Sequence, residues 1–160
     1  MKKPVKRVPS ACSVLVANGV NLDLLGTREP DIYGNETLKD LETVLNQAAA
    51  TLSAAAGIKG LKLTFFQTNE ESSYLEKFGE GFDGAIINPG AWTHTSLAIA
   101  DRLKALSLPY VEVHISNLAG REDFRRHSYT APGALGVVHG FGIASYKVGL
   151  YGLLQRLAQV

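Results

Sequence analysis

The sequence predicts a single α/β domain whose core is a doubly wound, parallel sheet of five strands. Five short runs of β-favouring apolar residues alternate along the chain with segments in which apolar residues recur every three or four positions. The strand runs lack the polar alternation of a half-exposed sheet, as is typical of strands that helices cover on both faces. Such alternation implies right-handed crossovers, for which a flavodoxin-like strand order is the expected arrangement.

The first half of the chain supplies two strands and a long helix. Residues 13–17, SVLVA, form the first predicted strand, and a loop much longer than a single connection requires comes next. Thr37, with Asp40 three residues later, is the start signal of a helix whose apolar residues lie three and four positions apart and which Gly57 ends. Residues 61–68, LKLTFFQT, form the second predicted strand.

The second half continues the alternation without a linker or an internal repeat. Its predicted elements are a short helix at 72–78, a strand at 84–88, a helix at 95–106, strands at 110–114 and 136–140, and a closing helix at 143–158. A chain of 160 residues is long enough for one core that buries about two thirds of its unfolded surface. We expect a basic, disordered tail at 1–12 and a single catalytic domain at 13–160.

The charge balance and the cysteine count narrow the classes of partner. Sixteen Lys and Arg residues against fifteen Asp and Glu residues leave a net charge of +1, so no overall field favours nucleic acid or an anionic membrane. No apolar run reaches the eighteen or so residues that a membrane-spanning helix needs. The single cysteine, Cys12, cannot form an intramolecular disulfide, which fits a reducing compartment. We expect a cytoplasmic protein that binds a small molecule, with no nucleic-acid or membrane partner.

Polar side chains collect where the predicted strands end. Asn21 follows the first strand, Asn88 ends the third, His114 ends the fourth, and Ser116 and Asn117 follow it. The carboxyl ends of parallel strands meet at one edge of the sheet, where ligands bind in open α/β folds. Polarity for solubility alone is the alternative, since such loops are polar in general. The convergence of these polar side chains predicts a binding site at this edge of the sheet.

Several familiar chemistries lack their motifs in this sequence. There is no GxxxxGK[ST] phosphate loop, and GFGIAS at 140–145 resembles a dinucleotide fingerprint without the acidic residue that would follow it. Metal-ligand spacings are missing, and no lysine stands at a strand end in apolar surroundings, where a Schiff base would need it. Acid and base chemistry without a metal or another cofactor remains.

Glu112 and His114, in YVEVH, are the candidate acid and base pair. Strand alternation puts both side chains on one face, where the carboxylate can orient the imidazole as a proton donor. A buried structural ion pair at a strand end explains the same pattern equally well. The two residues alone do not decide between these interpretations.

Three longer segments resemble a known enzyme family. NGVNLDLLGTREPDIYG, IINPGAWTHTSLAIAD and VEVHISNLAGREDFRRHSY are similar, in order and in separation, to the signature segments of type II 3-dehydroquinate dehydratases. The resemblance implies a flavodoxin-like fold and the reversible, cofactor-free dehydration of 3-dehydroquinate to 3-dehydroshikimate, by anti elimination through an enolate. That reaction serves either the shikimate pathway of aromatic amino acid biosynthesis or the breakdown of quinate.

The resemblance also implies catalytic roles for matching residues. Tyr33 matches the base and His114 the acid, while Arg28 belongs with Tyr33 to a lid that closes over the substrate. Asn21 matches a residue that holds a water against the enolate oxygen. Glu112 joins this catalytic group as the partner of His114.

Further matching positions are expected to bind the substrate's carboxylate and hydroxyls. These are Asn88, His94, Asp101, Arg125 and the backbone amides of Ile115 and Ser116. Asp101 matches an aspartate that reaches a neighbouring subunit's site in the family's dodecamer. The resemblance therefore implies a homo-dodecamer.

Tyr33 needs a nearby cation to act as a base. The ordinary pKa of a tyrosine is near 10, so a phenolate near pH 7 requires about three units, or roughly 4 kcal/mol, of differential stabilisation. Arg28, five positions away, is always charged and supplies it if the lid brings the two together. A loop anchor that packs its ring is the alternative for Tyr33.

Simpler roles also stand for other candidates. His94 precedes a predicted helix and would merely cap it. The alternative for Arg121, Arg125 and Arg126 is solvated surface charge, and only Arg125 matches a substrate-binding position. Trp92 is most simply a packing residue.

The chain departs from the family's usual pattern at several positions around the site. Val20 replaces a proline, Asp23 replaces an asparagine, Glu70 and Ala119 stand where the family has histidines, and Ser72 stands where it has a glycine. The first two predict a less rigid turn that loosens Asn21. One alternative is a catalytically impaired homologue that binds a shikimate-pathway acid; another is a nucleotide-binding or regulatory domain, which the missing phosphate loop disfavours.

Overall fold

The computed structural model describes residues 11–27 and 34–159, and a five-stranded parallel sheet lies at its centre. The strands are β1 (Ala11–Asn18), β2 (Gly60–Gln67), β3 (Gly84–Asn88), β4 (Tyr110–His114) and β5 (Gly136–His139), in the spatial order β2-β1-β3-β4-β5. The α-helices are α1 (Leu38–Ala55), α2 (Glu71–Lys77), α3 (Leu97–Leu106) and α4 (Ala144–Leu157). The predicted doubly wound α/β fold is confirmed.

Differences from the predicted bounds are small and have local causes. β1 begins at Ala11, so residues 11 and 12 belong to the strand rather than to the predicted tail, and Cys12 is buried in the core. α3 begins two residues later than predicted because Ser96 caps it, accepting a hydrogen bond from Ile99 N at 3.1 Å. Residues 1–10 lie outside the described ranges.

The predicted start signal of α1 is confirmed as a capping box. The hydroxyl of Thr37 accepts a hydrogen bond from Asp40 N at 3.2 Å, and the Asp40 carboxylate accepts one from Thr37 N at 2.8 Å. The bond from the Thr37 backbone lowers the pKa of Asp40 below its ordinary value. The cap directs Leu41 and Leu45 of α1 into the core.

Both faces of the sheet are covered, which explains why its strands read as unbroken apolar runs. Alternate residues such as Val14 and Val16 pack with α1 and α4 on one face. Leu15 and Ala17 pack with α2 and α3 on the other, where Trp92 also packs, its ring centroid 5.5 Å from that of Tyr74. None of the helices in the described ranges is long and apolar enough to span a membrane.

The sheet brings the polar strand ends to one edge. Asn18 and Asn88 end β1 and β3 and lie opposite each other, and His114 at the end of β4 lies opposite His139 of β5. The strand order reverses between β1 and β3, which is where open α/β sheets form a crevice.

Candidate active site

A cavity opens at this edge and collects most of the residues predicted for the site. Its walls come from the segment after β1, from the end of β3 and the turn after it, and from the end of β4 and the loop beyond. The predicted site residues that line it are Asn21, Asn88, His94, His114, Ile115, Ser116 and Arg125. The predicted convergence is confirmed for Asn21, Asn88, His114 and Ser116, whereas Asn117 does not line the cavity.

Glu112 orients the imidazole of His114 through a hydrogen bond. The His114 Nε2 and Glu112 Oε1 atoms lie 2.7 Å apart, and Glu112 is fully buried. Ser128 Oγ donates to the same carboxylate at 3.0 Å, and Thr130 Oγ1 donates to Oε2. The imidazole is thereby fixed in orientation, with one ring nitrogen bound to Glu112 and the ring at the cavity wall.

The environment of Glu112 favours its charged form. Burial alone would raise the pKa of Glu112, but the hydrogen bond and charge of His114, with the bonds from Thr130 and Ser128, lower it below its ordinary value. Glu112 is therefore a carboxylate at neutral pH, as an orienting partner for an imidazole must be.

Replacing Glu112 by glutamine is expected to lower the free energy of unfolding near pH 7 by about 1–3 kcal/mol, because an amide cannot accept every bond that the carboxylate accepts. A depressed folded-state pKa contributes stability above the ordinary value of about 4.3, and this contribution is lost as the pH falls through the folded-state pKa. The difference between the two proteins should therefore shrink on acidification.

Urea unfolding at a series of pH values between about 7 and 3 measures this difference. Glu42→Gln, at an exposed position of α1, is the matched control for loss of a surface carboxylate. A difference for Glu112→Gln that stays constant or grows on acidification would contradict the role given to the carboxylate.

The backbone of Asn21 is held more firmly than the replacement of a proline by Val20 predicts. Asn21 has a φ of 64°, a left-handed conformation that asparagine tolerates, and its N–H donates to Asn69 Oδ1 at 2.7 Å. Gln67 Nε2 reinforces this by donating to Asn69 Oδ1 at 3.2 Å and to Gly19 O at 3.3 Å. The expected loosening of Asn21 is therefore countered by the end of β2.

His94 does not cap α3, since Ser96 does so. Its Nδ1 instead lies 2.7 Å from the carbonyl oxygen of His127, which fixes the ring at the cavity wall. The capping interpretation of His94 was wrong. The other ring nitrogen of His94, Nε2, remains available for contact with a ligand in the cavity.

Two arginines lie in the cavity wall, and a third does not. Arg121 has a side chain 15% exposed, with contacts to Ser116 Oγ at 3.4 Å and to Glu122. Arg125 is 26% exposed and lies 3.3 Å from the Glu122 carboxylate. Arg126 is 57% exposed and pairs with Asp123, as expected of a surface charge. The interpretation of Arg121 as solvated surface charge was wrong.

Four of the predicted site residues are not placed in the wall of this cavity, and one of them, Glu112, reaches it only through its contact with His114. Asp101 lies on α3 and lines a different surface pocket, so within one subunit it does not join the others. Arg28 and Tyr33 lie outside the described residues. Within 11–27 and 34–159, no group of three or more His, Cys, Asp or Glu side chains is placed to hold a metal ion.

The match to a known family agrees with this geometry. The sequence model of the family described as dehydroquinase class II matches residues 12–154. The chain belongs to the class II dehydroquinase family. The resemblance and its enzyme class are thus confirmed, and the protein is a hydro-lyase.

Similar proteins cover nearly the whole chain. A 3-dehydroquinate dehydratase of Prochlorococcus marinus (strain MIT 9515) is 45% identical over 148 residues, which are 91% of this chain and 97% of the relative. One of Methylococcus capsulatus is 47% identical over 146 residues, or 89% and 94% of the two chains. The crystal structure of the type II dehydroquinase of Butyrivibrio crossotus has a TM-score of 0.81 and 38% identity, covering 90% of this chain and 98% of that one.

Proposed function

We propose that the protein catalyses the reversible anti dehydration of 3-dehydroquinate to 3-dehydroshikimate through an enolate. The observation that carries the proposal is His114, held by the buried Glu112 at the wall of a cavity at the carboxyl ends of the strands. The relatives named 3-dehydroquinate dehydratase support the choice of substrate. No cofactor enters the proposed reaction.

The proposed reaction needs one base and one acid. Tyr33 takes a proton from the carbon next to the carbonyl group, and the electrons of that C–H bond form the enolate. Asn21, at the cavity wall, holds a water against the enolate oxygen. The enolate then re-forms the carbonyl and creates a C=C bond as the hydroxyl leaves, taking a proton from His114 and departing as water.

The remaining cavity residues suit a small, oxygen-rich acid. Arg125 and Arg121 supply positive charge for a carboxylate, and arginine is well suited to binding one. Asn88, His94 and Ser116 offer polar groups for hydroxyls. Arg28 and Tyr33 complete the proposed site from the lid.

The test is an absorbance assay for the conjugated enone product after addition of 3-dehydroquinate to the purified protein. Product formation is the expected result. The alternative of an impaired homologue is motivated by the replacements at Val20, Asp23, Glu70 and Ala119. Saturable binding of 3-dehydroquinate in calorimetry without product formation would favour that alternative, and absence of both would reject the substrate.

We also propose a cytoplasmic location, which fractionation of the source cells tests.

A closed homo-dodecamer in which Asp101 completes a neighbouring site is the proposed assembly. Large apolar side chains on the surface support it, among them Phe124 and Phe141, each 66% exposed, and Leu97, 59% exposed. In α4, Leu150, Leu153 and Leu154 are buried within the subunit, whereas Tyr151 remains 47% exposed.

Dissociation is therefore expected to lower activity. Light scattering and rate measurements over the same dilution or mild denaturant series check this, with the rate falling as the mass falls. A fully active monomer at micromolar concentration would contradict the shared site.

A further inference from the structure

The carboxamide of Asn88 is held on two sides as it reaches the cavity. Its Oδ1 accepts a hydrogen bond from the backbone N–H of Gly90 at 3.2 Å, and its Nδ2 donates one to the hydroxyl of Tyr146 at 2.8 Å. A primary amide has two N–H donors, so one donor is left for a ligand. Asn88 lines the cavity, where that ligand would lie.

Tyr146 determines which way round this amide lies. It stands in the first turn of α4, fully buried, and its hydroxyl donates to Asn18 Oδ1 at 2.6 Å. A phenol has one proton, and since Asn18 accepts it, the oxygen can only accept from Asn88. The nitrogen of Asn88 must then face Tyr146. Burial raises the pKa of Tyr146, so the hydroxyl keeps its proton near neutral pH.

Gly90 imposes the same orientation from the other side. Its φ is +65°, and a Cβ atom there would lie 2.6 Å from the carbonyl oxygen of Val20. This close approach of the two loops fixes the Gly90 N–H, which needs an oxygen and not a nitrogen from Asn88. The two contacts therefore agree on a single orientation of the carboxamide.

We infer that Tyr146 is a positioning residue that, between Asn18 and Asn88, presents the remaining N–H of Asn88 to an oxygen of the bound substrate. The inference rests on the proposed function, because it takes the ligand to be an oxygen-rich acid. Tyr146 is not part of the cavity wall in the described structure, so it acts through Asn88.

Tyr74 provides a matched control. It is also fully buried, and its hydroxyl donates a single hydrogen bond, to Ala17 O at 3.1 Å. It packs on the opposite face of the sheet and does not line the cavity. Tyr146→Phe and Tyr74→Phe thus each remove one buried hydroxyl, but only the first releases Asn88.

Tyr146→Phe is expected to raise the KM for 3-dehydroquinate roughly tenfold with little change in kcat, because the Asn88 bond is made in the ground state and the transition state alike. Both tyrosine variants are expected to lower the thermal midpoint of unfolding to a similar degree. Tyr74→Phe is expected to leave KM unchanged. Asn18→Ala is the second variant, in case Tyr146→Phe does not fold. Asn18→Ala removes the acceptor of the Tyr146 proton, which can then turn towards Asn88, so this variant should also raise KM.

Crystal structures of the variants give a readout that does not depend on turnover. In Tyr146→Phe the Asn88 carboxamide should rotate away from Gly90 or occupy two conformers, whereas in Tyr74→Phe it should stay in place. An unmoved Asn88 in Tyr146→Phe, or equal rises of KM in both tyrosine variants, would overturn the inference. If the unaltered protein forms no product, the proposed function fails, and the Asn88 conformation alone decides the positioning role.

Discussion

Replacing His114 by alanine is expected to lower kcat for 3-dehydroquinate by at least about two orders of magnitude, the usual contribution of a general acid. The variant lacks the proposed donor of the proton that leaves with the hydroxyl group. Folding should persist because Ser128 and Thr130 still donate to Glu112 after the imidazole is gone. The measurement is the initial rate of enone formation at saturating substrate, on protein whose circular dichroism matches that of the unaltered chain.

His139→Ala is the control for removal of an imidazole from this part of the sheet. His139 lies opposite His114 in the strand register and lines a second cavity, whose wall includes Glu112 and Ser128 but not His114, so turnover should fall far less than in His114→Ala. Near-normal turnover in a folded His114→Ala protein would remove His114 from the role of acid. Equal losses in both variants would point to a general disturbance of β4 and β5.

The fold and much of the site follow from local sequence signals. The capping box at Thr37 and the unbroken apolar strands are short-range features, and they fix where each element begins and which faces it buries. The convergence of Asn88 and His114 follows from them, because the carboxyl ends of parallel strands must share one edge. The contact between Glu112 and His114 is equally local, since it needs only the alternation of one strand.

The parts that were not predicted depend on contacts between distant segments. Asn69 holds Asn21 across 48 residues, although its position just after β2, the strand that pairs with β1, is the signal that could have indicated it. Ser128 reaches Glu112 through the path of an irregular loop, which no periodicity describes. Arg121 precedes Arg125 by four residues in that loop, but only the fold shows that both line the cavity.

Arg121 and Arg125 are relevant to the proposed base as well as to the proposed substrate. A tyrosine with an ordinary pKa near 10 needs roughly 4 kcal/mol of differential stabilisation to be a phenolate near pH 7. Arg121 and Arg125 give the cavity positive charge in the described part of the chain, in addition to whatever Arg28 supplies from the lid. A phenolate that enters this cavity to reach the substrate would meet those charges in partly desolvated surroundings, where they act more strongly than in water.

Tyr33→Phe is therefore expected to lower kcat by at least about two orders of magnitude while KM changes far less, because the ring is kept and only the proton acceptor is lost. Steady-state rates of enone formation over a range of substrate concentrations separate the two parameters. Tyr74→Phe, which removes a hydroxyl buried on the sheet face that packs with α2 and α3, outside the cavity wall, is the matched control and should retain normal turnover. A residual rate in Tyr33→Phe that rises with pH would mean that hydroxide or another group can replace the phenol at low efficiency, which is compatible with Tyr33 as the base. A folded Tyr33→Phe protein with near-normal kcat at every pH is not compatible with it, since no proton acceptor would then have been removed.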